Sequence, residues 1–368
     1  MNFNFPLLKP IRIILFPFSL VYLAIIFVRN KLYEKKVLSS QAFALPMICV
    51  GNIAAGGTGK SPMVEYLLRH FSNKYLLATL SRGYKRRTSG YVLAGEHTDA
   101  LDIGDEPMQF HLKFPGVAVA VGEDRVAALP QLLHDRRNTK AVILDDAFQH
   151  RAISAGLNIL LTDYNNLYTR DWYLPTGDLR DEKRRAREAD IVVVTKCPQT
   201  LEQAEADSIR TELRPGETQE LYFSAIHYGE LYHIMSRTPF RLTSESEVLL
   251  VTGIANPRPL KRWLNDRCRS YEQLVYSDHH IFSIDDLKDI RRRYEQMNAP
   301  GKIILTTEKD AVRLVKFKQE LGPLPLYVIP IEMLFLFGDG EKFTHRIGTF
   351  IEGYKPATNP SNEQAEKS

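Results

Sequence analysis

Residues 45–71 read LPMICVGNIAAGGTGKSPMVEYLLRHF. An apolar run closing at Val50, a turn rich in glycine and an amphipathic stretch from Pro62 onward spell strand, phosphate-type loop and helix. In such a loop the glycines let backbone N–H groups curve around phosphate oxygens, a lysine reaches the β/γ-phosphates and a Ser/Thr hydroxyl serves magnesium. Gly56, Gly57, Thr58, Gly59, Lys60 and Ser61 stand in that order. Ala54 replaces the first glycine of a full Walker pattern, which brings the loop nearer to GGxGK[ST] variants. Pro62 suits the first turn of a helix, where its missing N–H is harmless. A plain solvent-facing glycine turn is the alternative, and the joint occurrence of strand, glycine run, Lys-Ser and helix argues against it.

Working outward, short apolar runs recur as YLLATL (75–80), VAVAV (117–121), AVIL (141–144), NILL (158–161) and DIVVV (190–194). Their separation by polar or helical segments is the pattern of a parallel sheet covered by helices. Residues 37–215 are therefore read as an α/β, P-loop-like nucleotide-binding domain. QELYFSAIHYGELYHI (219–234) reads as a two-stranded ribbon, and EVLLVTGIANP (247–257) and KIILTTEKD (302–310) as further strands running into turns. These make residues 216–350 a second, smaller α/β domain that completes a cleft, with a polar tail at 351–368.

The 368 residues suffice for two ordinary cores. Cys49, Cys197 and Cys268 are odd in number and lack zinc-ligand spacing, as expected in a reducing compartment. A net charge of +4 is too small to indicate nucleic acid. No obligate protein partner is evident, because no coiled-coil heptad or clear amphipathic partner helix occurs.

Residues 1–36 depart from this average. Ile13 to Val28 reads IILFPFSLVYLAIIFV without a formal charge, flanked by Arg12 and by Arg29, Lys31, Lys35 and Lys36. Such a helix reaches only about 24 Å, short of a ~30 Å hydrocarbon core, and Pro17 would interrupt or bend it. No small-residue cleavage site follows. A shallow anchor on an anionic membrane surface, a short span and a buried core helix remain open.

Beyond the loop, Asp145 and Asp146 follow the AVIL strand, where an acidic residue at a strand's carboxyl end can hold magnesium. GDEP (104–107) supplies Asp105 and Glu106, SRGY (81–84) supplies Arg82 and Tyr84, and GEDR (122–125) supplies Arg125 as a phosphate-neutralising cation. LRDEKRR (179–185) is densely charged, and Asp278-His279-His280 could contain an acid/base pair.

GNIAAGGTGKSP, SRGY, GDEP, DDAFQH, LRDE, GIANP, SDHH and TTEKD occur in one order. Over about residues 10–335 the chain resembles the tetraacyldisaccharide 4′-kinase family of lipid A biosynthesis. The resemblance implies transfer of the γ-phosphoryl group of ATP, with Mg2+, to the 4′-hydroxyl of an acylated glucosamine disaccharide 1-phosphate, giving lipid IVA. It also implies a Gram-negative cell and a membrane-associated enzyme at the cytoplasmic face of the inner membrane. By the same resemblance Asp105 activates the hydroxyl with His279 assisting, and Lys60 serves the β/γ-phosphates. Ser61 with Asp145, Asp146 or both would serve magnesium, and Tyr84, Arg125, Gln149, His150, Asp181 and Asp278 support the site or the substrate. DDAFQH has Ala147 where the family usually has glycine, and Asp181 stands at the usual glutamate position with Glu182 beside it. Lys85-Arg86-Arg87 and Lys183-Arg184-Arg185 with Arg187 are candidates for the acceptor's phosphate or anionic headgroups. A membrane-associated nucleotide switch would share the loop but leaves GDEP and DDAFQH without a common task.

Overall fold

The apolar run ahead of the glycine turn becomes β1 (Met47–Gly51), buried at every residue, and the amphipathic stretch becomes α3 (Lys60–Phe71). The computed structural model describes residues 9–299 and 301–355. Among the described residues two helices precede β1: α1 (Lys9–Ile14) and α2 (Phe16–Glu34). After α3 come β2 (Leu77–Ser81), β3 (Val92–Leu93), α4 (Ala100–Ile103), α5 (Asp105–Lys113), β4 (Ala118–Val121) and α6 (Arg125–Asp135). Then follow β5 (Ala141–Asp145), β6 (Leu157–Asp163), β7 (Ile191–Cys197), α7 (Gln203–Leu213) and β8 (Glu220–Tyr228). The second run is β9 (Leu231–His233), β10 (Pro239–Phe240), β11 (Glu247–Thr252), α8 (Arg258–Asn265), β12 (Ser270–Val275) and α9 (Ile284–Gln296). It continues through β13 (Lys302–Thr307), α10 (Glu308–Leu314), α11 (Lys318–Leu321) and β14 (Leu326–Ile329) to β15 (Ile331–Phe335) and α12 (Gly340–Gly353).

The strands form a nine-stranded sheet, β15-β8-β7-β6-β1-β5-β2-β4-β3, and a six-stranded sheet, β10-β9-β14-β13-β11-β12. Strands β2, β4, β5, β1, β6, β7 and β8 run parallel, so both faces must be covered, and their nearly unbroken apolar sequences bury on both sides. One core gathers Met47, Cys49, Leu144 and Val194, and the other Ile48, Val50, Leu67 and Phe343. At about 1.5–3 kcal/mol per buried aliphatic or aromatic side chain, this alternation fixes the register of β1 and hence the exit direction of its loop.

The expected division at residue 216 differs from the sheet membership. β8 is the parallel neighbour of β7 and pairs antiparallel with β15, so residues 219–234 are not a ribbon. Tyr222 and Phe223 are fully buried in the large sheet, a burial that a short hairpin could not supply. The chain crosses to the small sheet after β8 and returns at β15, and α12 packs Phe343, Ile347 and Ile351 on the large sheet's core. The bodies also meet through a buried charge cluster, in which Lys113 of α5 pairs with Glu65 of α3 and Glu308 of α10, both at 2.5 Å.

α2 runs 19 residues, about 28 Å, because Pro17 falls in its first turn, where it disrupts no bond. By length and composition it could cross a membrane. It is not a core helix: of its residues only Ser19, Ile26 and Asn30 are buried. Ser19 Oγ donates to the Tyr173 carbonyl (3.0 Å), Tyr22 to the Arg180 carbonyl (3.0 Å) and Asn30 Nδ2 to Asp181 (2.9 Å) and Glu182 (2.7 Å). Arg12, ahead of α2, pairs with Asp178 at 2.7 Å. The opposite side exposes Phe18, Leu20, Val21, Ile25 and Val28, continuing Ile13 and Ile14 of α1. Apart from Ile26, polar groups thus face the protein and apolar groups face out, the reverse of an ordinary surface helix. Residues 1–8, and the part of the expected polar tail beyond residue 355, lie outside the described residues.

Candidate active site

The loop after β1 enters α3 through Gly59, whose φ of +87° is a left-handed conformation that glycine adopts without penalty. Its shape is tied from beneath: Asn52 Nδ2 donates to Thr58 Oγ1 (2.7 Å), and Thr195 Oγ1 donates to the Thr58 carbonyl (2.8 Å). Gly56 and Gly57 are exposed, with open space where a Cβ would stand. Lys60, the first residue of α3, lies 3.7 Å from Asp146. Burial pulls the Lys60 ammonium down from its ordinary range, and the Asp146 charge opposes that pull.

The two carboxylates at the end of β5 are in different states. Asp145 is buried and its Oδ1 has no hydrogen-bond partner among the described residues. Burial, and then the charge of Asp146, push its carboxyl up to about 7. Asp146 sits at φ +51°, an uncommon conformation for a residue with a side chain, and is gripped by Arg180 as well as Lys60. Burial would raise it, but those cations win and hold it below the usual range. Ala147 needs no positive φ, so alanine in place of glycine costs nothing here.

The second cluster joins the sheets. Asp105, first residue of α5, receives Arg313 Nε on Oδ1 (2.7 Å), and on Oδ2 it meets Arg313 Nη2 and His279 Nδ1 (2.7 Å). Burial acts to raise Asp105, yet the Arg313 and His279 hydrogen bonds and the Arg313 charge outweigh it and hold the carboxyl at about 2. His279 stands at φ +63° in a turn fixed by the end of β11, where its N–H donates to the Gly253 carbonyl (3.3 Å). Gly253 leaves no room for a side chain: a Cβ would sit 2.9 Å from the Ser277 carbonyl and 3.1 Å from Asp310. Asp310 in turn accepts from the Gly253 N–H (3.1 Å) and Thr307 (2.7 Å), which gives GIANP and TTEKD a shared purpose in setting the His279 turn. Lys309 lies 3.1 Å from His279 Nε2, 3.4 Å from Asp278 and 3.8 Å from Glu106. The Glu106 charge is also felt at Lys60 and Asp145, so it stands between the two clusters.

Other expected residues take different places. Tyr84 is exposed, edge-on to His279 with ring centroids 5.9 Å apart. Gln149 donates to the Asn52 carbonyl behind the loop, and His150 is half-buried with no partner on Nδ1 among the described residues. Arg125 is 3% exposed and its Nη2 points to the Asp145 backbone carbonyl at 3.5 Å, so its charge acts on the carboxylates from beneath and is not open to an acceptor phosphate. Asp181 is 1% exposed and spent on Asn30 and Arg185, and Glu182 on Asn30 and Arg184, so LRDE presents Arg180 to the site and its carboxylates to α2. Arg86 and Arg185 are engaged by Glu123 and by Asp181, which leaves those basic runs less free than their sequence implies. Among the described residues no three His, Cys, Asp or Glu side chains are grouped as a metal site. Sequence reading missed Asn52, Thr195, Arg180 and Arg313 as site residues, and only the charged character of LRDEKRR hinted at any of them.

A family model described as Tetraacyldisaccharide-1-P 4'-kinase matches residues 11–352. The chain is 40% identical over 370 residues to a tetraacyldisaccharide 4'-kinase of Bacteroides thetaiotaomicron, covering 96% of this chain and 97% of that relative. It is 45% identical over 331 residues to a protein of the same name from Flavobacterium johnsoniae, covering 89% and 93%. Among solved structures it is similar to the "apo" form of LpxK from Aquifex aeolicus in complex with ATP, with a TM-score of 0.71 and 27% identity over 92% of this chain and 99% of that one.

Proposed function

The chain belongs to the tetraacyldisaccharide 4′-kinase family, and from that premise we propose how its residues divide the transfer of the γ-phosphoryl group of ATP to the 4′-hydroxyl of an acylated disaccharide 1-phosphate. One observation carries the reading: Asp105 of the large sheet is held by His279 and Arg313 of the small one. A carboxylate offers about four lone-pair positions, and three are filled, one on Oδ1 and two on Oδ2. The remaining position on Oδ1 accepts the hydroxyl proton. As the 4′-oxygen bonds to the γ-phosphorus, the bond to the bridging oxygen breaks and its electron pair leaves with ADP. A carboxyl held at about 2 is a weak base, which suits a loose transition state in which the proton moves late.

The loop N–H groups and Lys60 hold the phosphates. Ser61 and Asp145 are the residues that would hold magnesium, which supplies charge neutralisation at the transferring group. The partnerless Asp145 Oδ1 fits that task, and one or two carboxylates beside substrate phosphates are enough for this ion. Asp146, engaged by Lys60 and Arg180, aligns those cations. α1 and α2 lie in the cytoplasmic surface of the inner membrane, apolar side down. Acyl chains are retained by the bilayer at about 0.8 kcal/mol per CH₂, so the enzyme must work at the surface.

The test is transfer of labelled phosphate from ATP to detergent-dispersed disaccharide 1-phosphate with magnesium. Folded, ATP-binding protein that leaves this acceptor unlabelled would sink the assignment.

A further inference from the structure

We propose that Lys309 is a positioning residue that fixes the tautomer of His279 and through it the aim of Asp105; this rests on the reading that Asp105 takes the hydroxyl proton. His279 Nδ1 lies 2.7 Å from Asp105 Oδ2, and His279 Nε2 lies 3.1 Å from Lys309 Nζ. An ammonium carries three donors and no acceptor, so the imidazole must offer Nε2 as a lone pair. The proton then sits on Nδ1 and is donated to Asp105. The other two forms each conflict with a neighbour. A ring protonated on Nε2 alone sets its N–H against the ammonium and its Nδ1 lone pair against the carboxylate. A doubly protonated ring keeps the bond to Asp105 but sets a second cation 3.1 Å from Lys309.

Arg313 bears on the charge of the ring alone: its Nη2 donates to Asp105 Oδ2 and lies 3.1 Å from His279 Nδ1, so a doubly protonated ring would have a guanidinium on one side and an ammonium on the other. Lys309 is itself aimed by Asp278 at 3.4 Å and Glu106 at 3.8 Å. Lys309 and Arg313 are four residues apart on α10 and therefore share a face, which lets one helix hold both ends of the Asp105–His279 pair. His279 serves here as a fixed donor to Asp105, and it carries no proton to or from substrate.

The experiment is nitrogen-15 NMR of the full chain in detergent with histidine rings labelled, the His279 signals being identified by their loss in His279→Gln. Near neutral pH the wild type should show a protonated Nδ1 and an acceptor-type Nε2. In Lys309→Met the two signals should move toward mixed values, and kcat should fall roughly 10²-fold with the KM for ATP unchanged, as for a slightly misaimed group. A wild-type ring protonated on Nε2, or on both nitrogens, overturns the proposal without any variant. Retention of the wild-type tautomer in Lys309→Met, or an unchanged kcat, overturns it as well. The NMR measurement uses no substrate. Full kcat in Asp105→Asn would defeat the role given to Asp105 while leaving the tautomer result standing, so the two failures are distinguishable.

Discussion

Asp145 and Asp105 are both buried carboxylates among cations at strand or helix ends, yet one is held near 7 and the other near 2. Asp145 shares its site with a second carboxylate, and its neighbouring cations are spent mainly on Asp146, which leaves its buried Oδ1 without a hydrogen-bond partner among the described residues. Asp105 instead receives Arg313 Nε and Nη2 and His279 Nδ1 directly on its own oxygens. Burial acts in the same direction on both, so the difference comes from how opposite charge is distributed. A carboxylate with a bare oxygen can bind a hard cation, whereas one saturated but for a single lone pair can accept a proton in one direction only.

Four experiments test that contrast, in order of expected effect. Asp105→Asn should lower kcat by about 10²–10⁴-fold while ATP affinity by calorimetry stays put, since the amide keeps the shape but cannot take a proton. A comparable loss of ATP binding would merge the two clusters into one function. Asp145→Asn should lower kcat by about 10²-fold and shift the magnesium titration to higher concentration, whereas Asp146→Asn should change magnesium dependence less. Equal shifts in both variants would erase the distinction between them.

The third change moves a pH profile. With Asp105 at about 2, the carboxylate is ionised throughout the working range, and its contribution is lost only as pH falls through that value. Arg313→Gln removes the Arg313 hydrogen bond and charge and leaves burial opposed by His279 alone, so the Asp105 pKa should rise. The kcat/KM profile should then fall on the acid side from a higher pH than in the wild type. An acid limb that stays where it was would show that Arg313 does not set the state of Asp105. The smallest effect is expected at α2: Asn30→Leu takes one hydrogen bond from each of Asp181 and Glu182, which keep Arg185 and Arg184, and should cost about 1–3 kcal/mol in denaturant unfolding. Activity on a short-chain soluble acceptor should persist, because the contact lies outside both clusters.

The phosphate loop was legible because its chemistry is contiguous: strand, glycines, Lys60, Ser61 and helix occupy one window, and their spacing alone aims the N–H groups. The five apolar runs named from the sequence became β2, β4, β5, β6 and β7 for the same reason. Arg313 was invisible because it meets Asp105 across 208 residues of chain, and nothing in TTEKDAVR marks which arginine will be buried. The membership of β8 was misplaced because an apolar run states that a strand is covered, and does not say by which sheet. LRDE was misjudged in a similar way. Its carboxylates turn toward α2 and its arginine toward the loop, an orientation set by what lies on either side of the segment.

The sequence by itself determined the elements and the phosphate loop, because periodicity and turn chemistry act over a few residues. Only the tertiary structure decided which carboxylate keeps a bare oxygen, which is clamped, and which side of α2 faces outward. Those outcomes follow from desolvation and charge summed over neighbours in space, and the neighbours that matter at Asp105 arrive from the far end of the chain.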